Sequence, residues 1–169
     1  MSTTESVLHE VLEQRAIGAA KIGGSFSSMA QRYGDPTIML TDLWREYGLD
    51  ERCKIWFYDE LQVWSDPYGT IDRIFFDIKN KQPECTNQNF VGDLADIRDK
   101  LKDCDFETFV RVLGDSRAET SRTYDSTKLS FMGDDIEIFA TFRADGADGP
   151  HYLSMLRLNT IDNPKGSRE

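Results

Sequence analysis

The chain opens on an amphipathic pattern. Val7, Leu8, Val11 and Leu12 recur at helical spacing behind Ser2 and Glu5, which stand three apart as in a capping box, so a first helix is predicted. Beyond the glycine-containing stretch 20–24, Ser25 is placed to cap a short second helix with Phe26, Met29, Ala30 and Tyr33 inward. Gly34 supplies a left-handed stop and Pro36 blocks continuation. A further short helix is expected over 41–48. The period then changes. Ile55 and Phe57 alternate with Trp56 and Tyr58, and Leu61 and Val63 alternate with Gln62 and Trp64, which predicts two strands joined through Asp59-Glu60. The Ser65-Asp66-Pro67-Tyr68-Gly69 turn leads into a third strand over 70–78, completing an antiparallel meander.

After a polar connection over 80–89 the order restarts. Leu94, Ile97 and Leu101 mark a helix, Asp105 caps another with Phe106, Phe109 and Val110 inward, and Gly114 ends it. Strand patterns return at 128–132, 136–142 and 152–158. The segments from Ser25 to Asp35 and from Asp105 to Asp115 align at a constant offset, preserving cap, inward aromatic, glycine stop and following aspartate. The expected fold is therefore α+β: two pseudo-repeated units, each a helix-loop-helix followed by an antiparallel β-meander. The first spans 1–79, a connection spans 80–90, the second spans 91–162, and a flexible tail spans 163–169. The two units are compatible with one compact domain.

Composition narrows the functional classes. Of 169 residues, 39% are hydrophobic and 30% charged, enough apolar mass for a real core. The net charge of −10 disfavours a surface that tracks phosphates, so direct nucleic-acid binding is not expected. No apolar run approaches bilayer length and the first residues lack a signal-peptide pattern, so a cytoplasmic protein with no membrane role is expected. Cys53, Cys85 and Cys104 lack metal-site spacing and are expected neither to pair nor to bind zinc.

Candidate chemistry is sparse. His9 and His151 are expected at the surface, the latter in a turn after Pro150, and neither belongs to a zinc or triad pattern. Asp134, Asp135, Glu137, Asp145 and Asp148 lack the ligand array of a calcium loop and are read as solubilising loop charge. No catalytic residue, metal site or cofactor is expected. An unrecognised enzyme with a carboxylate-lined pocket, collecting Asp35 or Asp115, is the remaining catalytic alternative.

The more informative signal is which strand face the aromatics occupy. If Ile55, Phe57, Leu61, Val63, Ile74 and Phe76 pack on the helices, then Trp56, Tyr58, Trp64 and Phe75 point away and form an aromatic surface. Trp and Tyr are enriched at interface hot spots, and Asp59, Glu60 and Asp66 would flank them as an acidic rim suited to a basic partner. These seven residues are the expected partner-binding set.

Two helix-plus-sheet units with this short-helix, Gly-Asp, strand sequence resemble the beta-lactamase inhibitor protein architecture, in which two sheets form an aromatic-rich surface that clasps a protein. The run Tyr33-Gly34-Asp35-Pro36, with Lys54-Ile55-Trp56-Phe57-Tyr58 and Gly69-Thr70-Ile71, is also similar to small bacterial immunity proteins. That resemblance implies a non-catalytic protein that binds and neutralises a cognate toxin or secreted effector. A non-catalytic adaptor or secretion chaperone using the same surface is the alternative.

Overall fold

The computed structural model describes residues 2–34, 38–40, 52–58, 61–79, 88–144 and 149–161. The first helix, α1 (Thr3–Gln14), begins in the capping box that its sequence predicts: the Ser2 hydroxyl accepts from the Glu5 N–H, and the Glu5 carboxylate accepts from the Ser2 N–H. Leu8 and Val11 are its buried positions. It stops at Arg15, whose backbone is left-handed, and gives way to a two-stranded ribbon, β1 (Ala16–Ile17) and β2 (Ala20–Lys21). At the ribbon's turn Gly18 has φ +60° and faces the Tyr33 hydroxyl so closely that no Cβ fits between them. That hydroxyl accepts the Ala19 N–H at 2.8 Å, which ties the ribbon to the next helix.

Helix α2 (Phe26–Tyr33) and helix α4 (Phe106–Leu113) are built alike. Each is eight residues long, capped by a side chain that accepts the N–H three residues on (Ser25 from Ser28, Asp105 from Thr108), and closed by a glycine of positive φ; Gly114 is left-handed, whereas Gly34, expected to be so, has φ 75° with an extended ψ of −155° that only glycine readily adopts. Each cap residue also forms an isolated antiparallel bridge to the sheet, Ser25 with Thr70 and Asp105 with Tyr152. Between them lies α3 (Gln88–Leu101), which begins inside the segment expected to be only connection.

The strands are β3 (Ile38–Leu40), β4 (Lys54–Tyr58), β5 (Leu61–Ser65), β6 (Ile71–Asp77), β7 (Glu119–Arg122), β8 (Ser126–Met132), β9 (Ile136–Ala144) and β10 (His151–Thr160). They form one eight-stranded antiparallel sheet in the order β3-β4-β5-β6-β10-β9-β8-β7. The fold class is α+β, as expected. The last strand of each half meets the other at the centre, where β6 pairs with β10 through Phe76↔Leu156, Phe75↔Arg157 and Ile74↔Leu158. The sheet is thus continuous across the 80–90 boundary. The parallel between α2 and α4 is one of geometry; duplication of a unit is a further inference from it. Strand β7, at one edge, is polar and wholly exposed, a composition that discourages pairing with another chain.

Register decides what faces the helices. Directly paired residues of an antiparallel sheet share a face. One row runs Trp56-Val63-Ile74-Leu158-Ile138-Phe131 across β4, β5, β6, β10, β9 and β8, and the next runs Tyr58-Leu61-Phe76-Leu156-Ala140-Leu129. Both rows join Leu8, Val11, Met29, Tyr33, Leu94, Leu101 and Phe109 in a single core. The described helices and this inner face make two layers.

The inner face corrects the aromatic assignment made from alternation. Tyr58 and Leu61 are paired across the two residues 59–60, so an inward Leu61 requires an inward Tyr58 and Trp56, and turns Ile55 and Phe57 outward. Tyr58 is 2% exposed and donates its hydroxyl to the Gly34 carbonyl at 2.9 Å. Trp56 packs on the core with its ring against Phe26. His151 is likewise not in a surface turn. It opens β10, is buried, and shares a 2.8 Å hydrogen bond through Nδ1 with the Thr127 hydroxyl. His9 is exposed as expected, 3.3 Å from Glu13. The helix expected over 41–48, together with Asp35, Cys85, Asp145, Asp148 and the tail, lies outside the described residues.

Candidate interaction face

The outer face of the sheet follows from the same register. One row reads Ile55-Trp64-Arg73-Asn159-Glu137-Met132 and the next Phe57-Gln62-Phe75-Arg157-Phe139-Ser130. Of the residues expected to bind a partner, Trp64 and Phe75 stand here. Trp56 and Tyr58 do not. Asp59 and Glu60 lie outside the described residues, and Asp66 serves the β5–β6 turn, where its carboxylate accepts the N–H groups of Tyr68 and Thr70 at 2.8 and 2.9 Å.

Two residue pairs organise this face. Arg73 on β6 stacks over the ring of its direct partner on β5, Trp64, with 4.5 Å from guanidinium carbon to ring centroid. Arg157 on β10 stacks over its direct partner on β9, Phe139, at 4.1 Å. Such stacking contributes about 0.5–1 kcal/mol at exposed sites and fixes the plane of the guanidinium. The two arginines come from the central strands and are diagonal neighbours across the seam, an arrangement that ordinarily separates Cα atoms by about 7–8 Å. Burial and then the charge of Arg73 lower the Arg157 pKa, against a smaller opposing pull from Glu137.

Among the described residues neither arginine makes an ion pair. Arg157 Nε and Asn159 Oδ1, two residues apart on the same face of β10, are buried without hydrogen-bond partners. Asn159 uses its amide nitrogen toward Glu137 at 3.4 Å. An unpaired buried donor beside an unpaired buried acceptor is costly, about 1–3 kcal/mol each, and marks a place where a bound group would recover free energy. Phe57, Phe75 and Phe139 are half-buried, and Met132, at the β8 margin, is 60% exposed.

Arg73, Arg157, Phe139, Asn159 and Phe57 escape a strand-by-strand reading. The signal for them is hairpin pairing: once Val63 and Ile138 are inward, Trp64 and Phe139 are outward, and their partners Arg73 and Arg157 follow.

Two clefts lined by described residues lie elsewhere. One of about 610 Å³ sits between α2 and the β5–β6 turn, where Arg52, Lys54 and Trp56 line it and the Trp56 indole N–H is buried without an acceptor. The other, about 260 Å³, contains His9, Glu13, Arg15 and Asp115. Its acids have partners: Asp115 meets Arg117 at 2.9 Å and Glu13 meets the His9 ring at 3.3 Å, while Arg15 reaches Asp135 at 2.6 Å. The Arg117 hydrogen bonds hold the Asp115 carboxyl below its ordinary range, and the Arg15 hydrogen bond does so for Asp135. Cys104 is buried and its thiol is pushed up to about 12, chiefly by desolvation, the opposite of a reactive thiolate. Among the described residues, no group of three or more His, Cys, Asp or Glu side chains is placed to hold a metal ion, and no helix is long and apolar enough to cross a membrane.

No family model matches the chain, and a search of curated proteins finds no match. Among solved structures the chain is similar to a DUF4309 family protein from Bacillus subtilis, at 15% sequence identity and a TM-score of 0.42, over 94% of this chain and 96% of that one.

Proposed function

We propose that this protein is a non-catalytic binding protein that seats a protein partner on the outer face of its sheet, and that in this role it neutralises a toxin or secreted effector. The observation that supports binding is the outer pair of rows, where Trp64, Phe75 and Phe139 alternate with Arg73 and Arg157. Trp and Arg are enriched at interface hot spots: Trp presents a large rigid contact area, and each of these arginines has its planar fork already held by stacking on an aromatic ring. A rigid central sheet suits the purpose: β6 and β10 are paired on both sides, so their outward side chains are held in fixed rows. The inhibitory form of the role rests on the resemblance of the 33–36, 54–58 and 69–71 segments to immunity proteins. A cytoplasmic setting belongs to the same reading.

The test is affinity purification from the native host with the wild-type chain and with a Trp64→Ala/Phe75→Ala variant of unchanged circular dichroism. A stoichiometric protein retained by the first and lost by the second supports the face. Silencing of that protein's activity on binding supports inhibition, and a partner that stays active makes this an adaptor. Equal retention by both chains would remove the outer face from the account.

A further inference from the structure

We infer that the outer face recognises an acidic segment: an extended, carboxylate-bearing stretch of the partner that lies across the β6–β10 seam and engages Arg73 and Arg157. The inference deepens the binding role proposed above and rests on it. The net charge of the chain and the charge at the centre of this face are opposite in sign. The chain as a whole carries −10, yet the centre of this face carries two arginines without ion pairs among the described residues. In register around them stand Lys128 and Arg143 on the basic side and Asp77, Glu119 and Glu137 on the acidic side, with Asp72 at the β5–β6 bulge. Glu137, diagonal to Arg157 across the β9–β10 pairing, is shared with the Asn159 amide.

Each guanidinium already has one face committed to an aromatic ring, Trp64 or Phe139, which leaves its in-plane N–H groups as the means of further binding. Carboxylates are the natural acceptors for that fork, in charge-assisted and often bidentate hydrogen bonds. The buried Arg157 Nε and Asn159 Oδ1 add a donor and an acceptor that a peptide carboxylate and a peptide N–H together would satisfy. Phe57, Phe75 and Phe139 supply apolar contact on either side, so the fitting partner alternates acidic and apolar residues. A basic partner, which the net charge alone favours, would meet two like charges here.

The opposition between net charge and local charge gives the experiment. Two labelled synthetic peptides of equal apolar content serve as probes, one alternating glutamate with phenylalanine and leucine, the other with lysine in place of glutamate. Binding is read by fluorescence anisotropy at low and moderate salt. The expected result is tighter binding of the glutamate peptide by about tenfold or more, lost in Arg73→Gln/Arg157→Gln. Glu137→Gln, which removes the competing carboxylate, should strengthen glutamate-peptide binding and decides the matter should the double variant fail to fold. A preference for the lysine peptide, no preference, or a glutamate preference indifferent to both arginine and Glu137 changes would overturn the acidic reading. Loss of whichever peptide binds on Trp64→Ala/Phe75→Ala would then leave the face itself standing. Binding indifferent to that variant, or no binding of either peptide, counts against the face as well.

Discussion

Tyr58 and Phe75 make a sharp pair because simple alternation assigns both to one surface, whereas the hairpin register assigns them to opposite sides of the sheet. Tyr58→Ala removes an aromatic ring that is 2% exposed, next to Tyr33 at 5.8 Å, and with it the hydrogen bond to the Gly34 carbonyl. Truncating a buried aromatic costs about 3–5 kcal/mol, and the lost hydrogen bond adds about 1 kcal/mol. Phe75→Ala opens no core cavity. It gives up part of a half-buried ring and some strand preference, together about 1–2 kcal/mol. With a urea dependence of about 2 kcal/mol per molar, the Tyr58 variant should lose about 2–3 M in its unfolding midpoint and the Phe75 variant less than about 1 M. Tyr58→Phe separates the two parts and should cost about 1 kcal/mol alone. Equal losses for Tyr58→Ala and Phe75→Ala, measured by equilibrium urea unfolding followed by circular dichroism, would refute the register argument.

Four further outcomes follow from the structure. Gly18→Ala places a methyl against the Tyr33 hydroxyl at a positive φ and should lower the thermal midpoint, whereas Gly23→Ala, also at positive φ but with open space around it, should cost less. Asp105→Ala should cost about 1 kcal/mol through loss of the α4 cap, and Asp105→Asn should recover most of it. Glu5 is held down to about 2 from 4.5, first by the Ser2 backbone N–H and then by Arg111; a depressed carboxylate stabilises above its unfolded pKa and loses that contribution as pH falls through the folded value. Wild type and Glu5→Gln should therefore differ most near neutral pH and converge between about 4.5 and about 2, read from thermal midpoints across that window. Cys104 should resist alkylation in the folded protein at mildly alkaline pH and react on unfolding, as peptide mass spectrometry would report.

What was legible in the sequence was local. The Ser2/Glu5 box, the Ser25 and Asp105 caps and the Gly34 and Gly114 stops are spaced within one or two turns, so residue type alone specifies them. The strands β4, β5, β6, β8, β9 and β10 were legible in outline for the same reason. β1 and β2, with two residues each, are too short to show a period, and β7 has no apolar alternation. The face of β4 is not legible because Ile55, Trp56, Phe57 and Tyr58 are all large and mainly apolar, which leaves its parity undetermined until the 58↔61 pairing is imposed. The neighbouring Pro150 suggests a turn at His151, although proline is also at home just before a strand. The arginine pair depends on β6 meeting β10, a contact between residues 78 to 86 positions apart that no local pattern encodes.

Hydroxyl-radical footprinting of the protein with its captured partner reads the outer face and the turns away from it in one experiment. Met132 on the outer face is 60% exposed, and Tyr68 and Tyr124, in turns away from it, are 85% and 78% exposed. Binding should protect Met132, Trp64 and Phe75 while Tyr68 and Tyr124 stay reactive. Protection confined to Tyr68, beside the Arg52 and Lys54 cleft, with Trp64 and Phe75 unchanged, would contradict it.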